Sequence, residues 1–184
     1  MLRLVHAIVM GLIGAGIVHL MILFLLPNYS VRDAWTQVSS VADYYETVRL
    51  RGDNSTTRAL PHPADPFIDA AACRFNLEDG MLSVRGQGDI PFWTLAIYDE
   101  RGLNTFSISD RVSSGPLLDA VVLTPIQMQR LKADEANEGD QSLYLETSVI
   151  EGFVLVRAFL PDETWQPKVS AFLDSLQCEA LESQ

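Results

Sequence analysis

Leu4 to Leu26 is an unbroken run of 23 residues with no formal charge, dominated by Leu, Ile, Val, Met, Phe and Gly. At about 1.5 Å per residue, a helix of that length matches the roughly 30 Å hydrocarbon core of a bilayer. A cleavable signal peptide has a shorter apolar region, about 7 to 15 residues, and closes on a small-residue cleavage site. Here the run ends in Pro27-Asn28-Tyr29-Ser30 without such a site, so the sequence predicts an uncleaved transmembrane anchor over residues 1–30. Arg3 precedes the run, and Arg32 is the first basic residue after it. A short basic tail stays in the cytoplasm, which sends the C-terminal part outward.

The anchor leaves about 150 residues, enough for one domain with a sizeable core. The chain has a formal net charge of −11, and Arg3 is its only formally charged residue before position 32. The part beyond the membrane is therefore strongly acidic. Nucleic acid and anionic lipid headgroups both want a basic surface, so both are poor partners, no nucleic-acid partner is expected, and the bilayer is met through residues 4–26.

Within the anchor, Ala7, Gly11, Ala15 and His19 recur every fourth residue and share one helix face. Small residues at that spacing let two membrane helices approach closely, and an imidazole in lipid needs a polar partner. Two readings stand: a helix–helix contact surface, or small residues ordinary in membrane helices with His19 bonded to a local carbonyl. From Ser30 the apolar residues Val31, Ala34, Trp35, Val38, Val41, Ala42, Tyr45 and Val48 continue at helical spacing. Residues 31–50 are thus expected to form a membrane-proximal amphipathic helix capped by Ser30, with Trp35, Tyr44 and Tyr45 near the interface or against the domain. Residues 51–72, with Pro61, Pro63 and Pro66, read as a linker.

Residues 73–184 read as the β-rich domain. Cys73–Leu77 and Met81–Arg85 flank Glu78-Asp79-Gly80, and Phe92–Asp99 and Leu103–Asp110 flank Glu100-Arg101-Gly102; both are hairpin signals. Leu117–Thr124 reads as a strand, Pro125–Ala133 as a short helix, and Asp134–Asp140 as an acidic loop. A last hairpin is expected from Leu143–Ile150 and Phe153–Leu160 around Glu151-Gly152. Asp162 or Thr164 would cap a closing helix with the stripe Trp165, Val169, Phe172, Leu173 and Leu176. The pattern predicts an α+β, β-rich fold: a transmembrane helix, then an antiparallel sheet or sandwich-like domain closed by a C-terminal helix.

Cys73 lies in the first predicted strand and Cys178 at the end of the last predicted helix. In an oxidising compartment the pair would close a loop across almost the whole domain, whereas a cytoplasmic domain would hold two free thiols. Placement and orientation together favour the disulfide.

The chemistry-bearing residues are few. Of three histidines, His6 and His19 belong to the membrane stretch or its edge, and His62 stands alone in the linker. One His and two distant Cys do not make a zinc site of usual spacing, and neither a nucleophile elbow, a phosphate loop nor a dinucleotide fingerprint is present, so no metal or cofactor is expected. Among the carboxylates, Asp99 and Asp110 sit at the two ends of the second hairpin and are expected to adjoin if its strands pair. With Asn104 and Arg111 they would form a polar site for a sugar or a cation, or for acid–base work. The competing reading is that these residues satisfy turn and strand-end backbone groups. Arg157, in an apolar strand, is expected as half of a structural ion pair.

Phe92-Trp93-Thr94-Leu95-Ala96-Ile97-Tyr98-Asp99, followed by Asn104-Thr105-Phe106-Ser107-Ile108-Ser109-Asp110-Arg111, resembles the signature of the bacterial domain-of-unknown-function families 1254 and 1214. The layout also resembles small membrane-anchored α-proteobacterial members of the 1254 family, through Cys73–Leu77, Glu151–Arg157 and the Trp165 tail. Phe106 stands where the pattern often has Tyr, so no hydroxyl role carries over there. The resemblance implies a β-rich bacterial envelope domain, often encoded near a sister protein of the related family, with no established activity; together with the orientation expected from Arg3, it would lie on the periplasmic side of the inner membrane. Two functional expectations follow: a non-catalytic binding or structural module partnering another envelope protein, or a carbohydrate-binding or hydrolytic domain using strand-end carboxylates.

Overall fold

The computed structural model describes residues 2–51, 65–113, 117–133 and 142–181, with the backbone alone over 26–34. The predicted linker residues 52–64, His62 among them, and the acidic loop Asp134–Asp140 lie outside the described residues.

The apolar run and the amphipathic stretch after it form one helix, α1 (Leu2–Val41), 40 residues long and so about 60 Å in length. Two separate helices were expected. The apolar periodicity passes through residue 30 without a break, and Pro27 costs the helix one hydrogen bond without ending it. The helix also stops well short of residue 50. Tyr45, with φ 63°, turns the chain back into a short strand, β1 (Thr47–Arg49).

Among the described residues eight further strands follow: β2 (Ile68–Asn76), β3 (Met81–Gln87), β4 (Trp93–Asp99), β5 (Asn104–Ser109), β6 (Leu117–Leu123), β7 (Leu143–Glu146), β8 (Glu151–Phe159) and β9 (Gln177–Leu181). Helix α2 (Pro125–Ala133) lies between β6 and β7, and α3 (Gln166–Asp174) between β8 and β9. The first sheet has the order β1-β2-β8-β4-β5 and is antiparallel throughout. The second, β7-β6-β3-β9, is antiparallel except where β6 and β7 run parallel. The fold is α+β and β-rich, as its residue pattern predicts. Both turn glycines have positive φ, Gly80 at 150° and Gly102 at 73°; Gly102 closes the expected β4–β5 hairpin, but the hairpin expected around Gly80 does not form, because the chain crosses there from β2 in the first sheet to β3 in the second.

Other assignments differ as well. β2 begins at Ile68 rather than Cys73, taking in part of the predicted linker. Ala70, Ala71 and Ala72 are all buried, because this stretch is covered on both faces and small residues suffice there. The predicted last hairpin does not exist: β7 belongs to the second sheet and β8 to the first. A parallel partner needs a crossover connection, and α2 supplies it between β6 and β7. Gly152, read as a turn residue, lies inside β8, where an added Cβ would come within 2.1 Å of the Tyr98 carbonyl oxygen. Finally, Cys178 sits in β9, a closing strand that follows the last helix.

The inner faces of the two sheets pack together. Phe75 from β2, Leu82 and Val84 from β3, Leu95 and Ile97 from β4, Val122 from β6 and Val154 and Val156 from β8 make one core, joined by Val169, Phe172 and Leu173 of α3. The α3 stripe is thus the one its spacing predicts. Cys73 is disulfide-bonded to Cys178, tying β2 of one sheet to β9 of the other across 105 residues of sequence. A second apolar cluster, Val38, Ala42, Ala72 and Phe153 with Trp35, Val48 and Leu155 at its margin, seats the end of α1 on the outer face of the first sheet.

Candidate functional site

The four residues expected to converge do not. Thr94 faces Ser109 and Tyr98 faces Asn104 across the β4–β5 hairpin. Asp99 therefore stands at the turn, while Asp110 stands at the open end, about 20 Å away at the usual rise per strand residue. Residues at the two ends of one hairpin adjoin only when both flank its turn, and Asp110 does not. Asp99 Oδ1 accepts hydrogen bonds from the backbone N–H groups of Arg101 (2.9 Å) and Leu103 (2.8 Å). Asn104 Nδ2 donates to Ser107 Oγ at 2.8 Å. Asp110 and Arg111 open a 3-10 turn, Asp110–Val112, in which Arg111 is exposed. Asp110 Oδ1 is buried without a donor among the described residues.

Asp99 does border a cleft of about 420 Å³ at this end of the sandwich. Its walls are the β2–β3 turn (Asn76, Glu78), the β4–β5 turn (Asp99 to Arg101) and residues 148–151 leading into β8. Four carboxylates, Glu78, Asp99, Glu100 and Glu151, face one guanidinium, Arg101. Such a lining favours cationic groups.

Glu151 connects that cleft to α1. The Tyr44 hydroxyl donates a short hydrogen bond to Glu151 Oε1, and Arg74 Nη2 lies 3.8 Å from the same oxygen. The Arg74 guanidinium is held between two rings, 4.7 Å from the Trp35 centroid and 4.3 Å from that of Tyr44. Its Nη1 donates to the Ala42 carbonyl at 3.1 Å, one of the acceptors that a helix end leaves without an intrahelical partner. The Tyr45 N–H donates to the Arg74 carbonyl at 2.8 Å, and the Tyr45 hydroxyl donates to the Asn76 carbonyl at 2.5 Å. Trp35 also stacks near Phe153 (6.3 Å between centroids), which lies flat against Tyr98 at 4.9 Å. Trp35, Tyr44 and Tyr45 therefore pack against the domain. The hydrogen bond to Glu151, then burial, raises the Tyr44 pKa above its ordinary value. For Tyr45 burial is the largest cause of an upward shift.

Two other arginines are structural. Arg49 Nη2 contacts Asp69 Oδ2 at 2.5 Å, and its Nη1 reaches Asp174 Oδ1 at 2.7 Å, linking β1, β2 and α3 around a fully buried carboxylate. Arg157, expected in an ion pair, instead donates to the Tyr98 hydroxyl at 2.8 Å and lies 6.0 Å above that ring. Sequence reasoning missed the Arg74 clamp. The available signal was an arginine set in the otherwise apolar run Ala70 to Phe75.

α1 is long and apolar enough over Leu2–Leu25 to cross a membrane, and none of that stretch is buried. Ala7, Gly11, Ala15 and His19 are exposed along it.

No protein-family model and no curated protein matches the chain. Solved structures share its fold, two bacterial proteins among them. The VPA0106 protein from Vibrio parahaemolyticus superimposes over 84% of this chain with a TM-score of 0.54 at 12% identity. An uncharacterised protein from Burkholderia cenocepacia does so over 86%, with a TM-score of 0.51 at 14% identity. The chain spans 36% of the first and 42% of the second.

Proposed function

We propose that this protein is a non-catalytic binding or structural module, anchored in a bacterial inner membrane by residues 4–26, whose sandwich faces the periplasm and engages another envelope protein. The observation that carries the reading is the join between anchor and domain. A single helix leads from the apolar stretch into the Trp35–Arg74–Tyr44 clamp, with no loop between them. Only about ten helical residues, or about 15 Å, separate Leu25 from Trp35. A domain held that rigidly presents a fixed surface at the membrane, which suits a partner in the same membrane better than a diffusing substrate. The Cys73–Cys178 bridge is consistent with the oxidising side of the membrane. That the fold forms less than half of two longer chains also fits a domain that works beside other polypeptide, such as a sister protein of the related family.

Purification of the full chain from its own membranes in mild detergent, followed by mass spectrometry, tests this. A stoichiometric envelope protein is expected in the eluate; a chain that elutes alone at every detergent concentration removes the partner reading. The carboxylate-lined cleft favours one alternative, a carbohydrate-binding or hydrolytic domain. Titration with cell-wall oligosaccharides would show saturable binding if that alternative held.

A further inference from the structure

An edge strand exposes a row of unpaired N–H and C=O groups, and proteins usually protect it with brevity, charge or proline. Three of the four sheet edges here follow that practice. β1 has three residues and β7 four, and β9 carries Glu179. β5 has no such protection. Asn104-Thr105-Phe106-Ser107-Ile108-Ser109 is six residues long, uncharged and free of proline, and its first four residues are exposed. Among the described residues only β4 pairs with it. Phe106 shares the face of Ile108 yet remains 40% exposed, an apolar contact left for an incoming chain. The turn end of β5 opens directly onto the acidic cleft, because Thr105 lines that cleft beside Glu78, Asp99, Glu100 and Glu151.

From this juxtaposition we propose that β5 is the docking edge for an extended segment of a protein partner. The segment adds to the first sheet as a sixth strand and carries Lys or Arg where it passes the cleft. In strand addition the main chain supplies hydrogen bonds and alternate side chains supply selectivity. Charge decides the kind of segment. A second copy would bring another chain of net charge −11, with its own acidic turn, against this one. A basic segment finds a complementary surface. The inference rests on the partner-binding reading above and names the surface that would serve it.

The test uses the full chain in its native membranes, with photoreactive benzoylphenylalanine introduced at Phe106, adducts mapped by mass spectrometry, and hydrogen exchange read at Asn104–Ser109. The expected adduct joins β5 to a Lys- or Arg-bearing segment of another protein. The β5 amides are expected to exchange about tenfold more slowly in membranes than in the purified chain. Raising salt to about 0.5 M, where the Debye length falls to a few ångströms, is expected to reduce the adduct severalfold. Ser107→Lys, with its fold checked by circular dichroism, is expected to abolish both the adduct and the protection. Equal exchange in both settings, an adduct to a second copy, or an adduct to an acidic segment would overturn the proposal. A partner that still co-purifies with Ser107→Lys at wild-type yield would overturn the edge while sparing the partner reading.

Discussion

Replacing Arg74 with alanine removes the clamp that fixes α1 to the sandwich, and its cost can be worked out from the contacts. Two ring contacts, to Trp35 at 4.7 Å and Tyr44 at 4.3 Å, are lost, each contributing about 0.5–1 kcal/mol. The bond to the Ala42 carbonyl has a charged donor and contributes about 1.5–3 kcal/mol. The Glu151 pair, at 3.8 Å with the carboxylate partly exposed, adds about 0–1 kcal/mol. Because one side chain makes all of these contacts, the low end of each applies, and the loss comes to about 2.5 kcal/mol. For a domain of about 150 residues that lowers Tm by about 5–10 °C. Arg74→Lys keeps the charge but not the planar stacking, so it should lose about half as much. Thermal unfolding in detergent micelles gives the first readout, and Trp35 emission, shifting red as the indole leaves its seat, gives the second. A Tm drop below about 2 °C with unchanged emission would mean that the clamp does not hold the helix.

Three further outcomes follow from the same structure. Gly152→Ala places a methyl within 2.1 Å of the Tyr98 carbonyl oxygen; because backbone cannot swing aside, chemical denaturation should show a loss of about 3 kcal/mol or more. Replacing both Cys73 and Cys178 by serine opens a loop of 105 residues, and equilibrium unfolding should show a loss of about 4–5 kcal/mol by the chain-entropy model. The raised Tyr44 pKa favours the protonated phenol in the fold. Its contribution is therefore complete below the ordinary tyrosine value and is lost as pH rises through the folded one. Tyr44→Phe should flatten the alkaline limb of a stability–pH profile, and an unchanged limb would contradict the Glu151 hydrogen bond.

Much of the fold was legible because local chemistry and tertiary structure agree. Gly80 and Gly102 sit in polar turns between apolar strands, and the α3 stripe Val169, Phe172, Leu173 has a single buried face. Gly152 shows where that reasoning fails. Its neighbours also look like a turn, but the glycine is required by the close approach of Tyr98, a contact distant in sequence. The same limit hid the β7–β8 separation, since alternation along a strand does not say which sheet it joins. Asp99, Asn104 and Asp110 were visible as polar residues at a hairpin, yet only the register shows that Asp99 and Asp110 lie at opposite ends. The Arg74 clamp joins residues from α1, β2 and β8, so no window of sequence contains it.

The central claim is that the apolar helix stays with a disulfide-closed domain as one membrane-bound unit. The most direct test is the intact mass of the chain extracted from its membranes, denatured without reductant in the presence of an alkylating reagent. The account predicts a mass that retains the Leu2–Leu25 stretch and carries no alkyl groups. A chain beginning beyond Tyr29, or one alkylated at both Cys73 and Cys178, would contradict it.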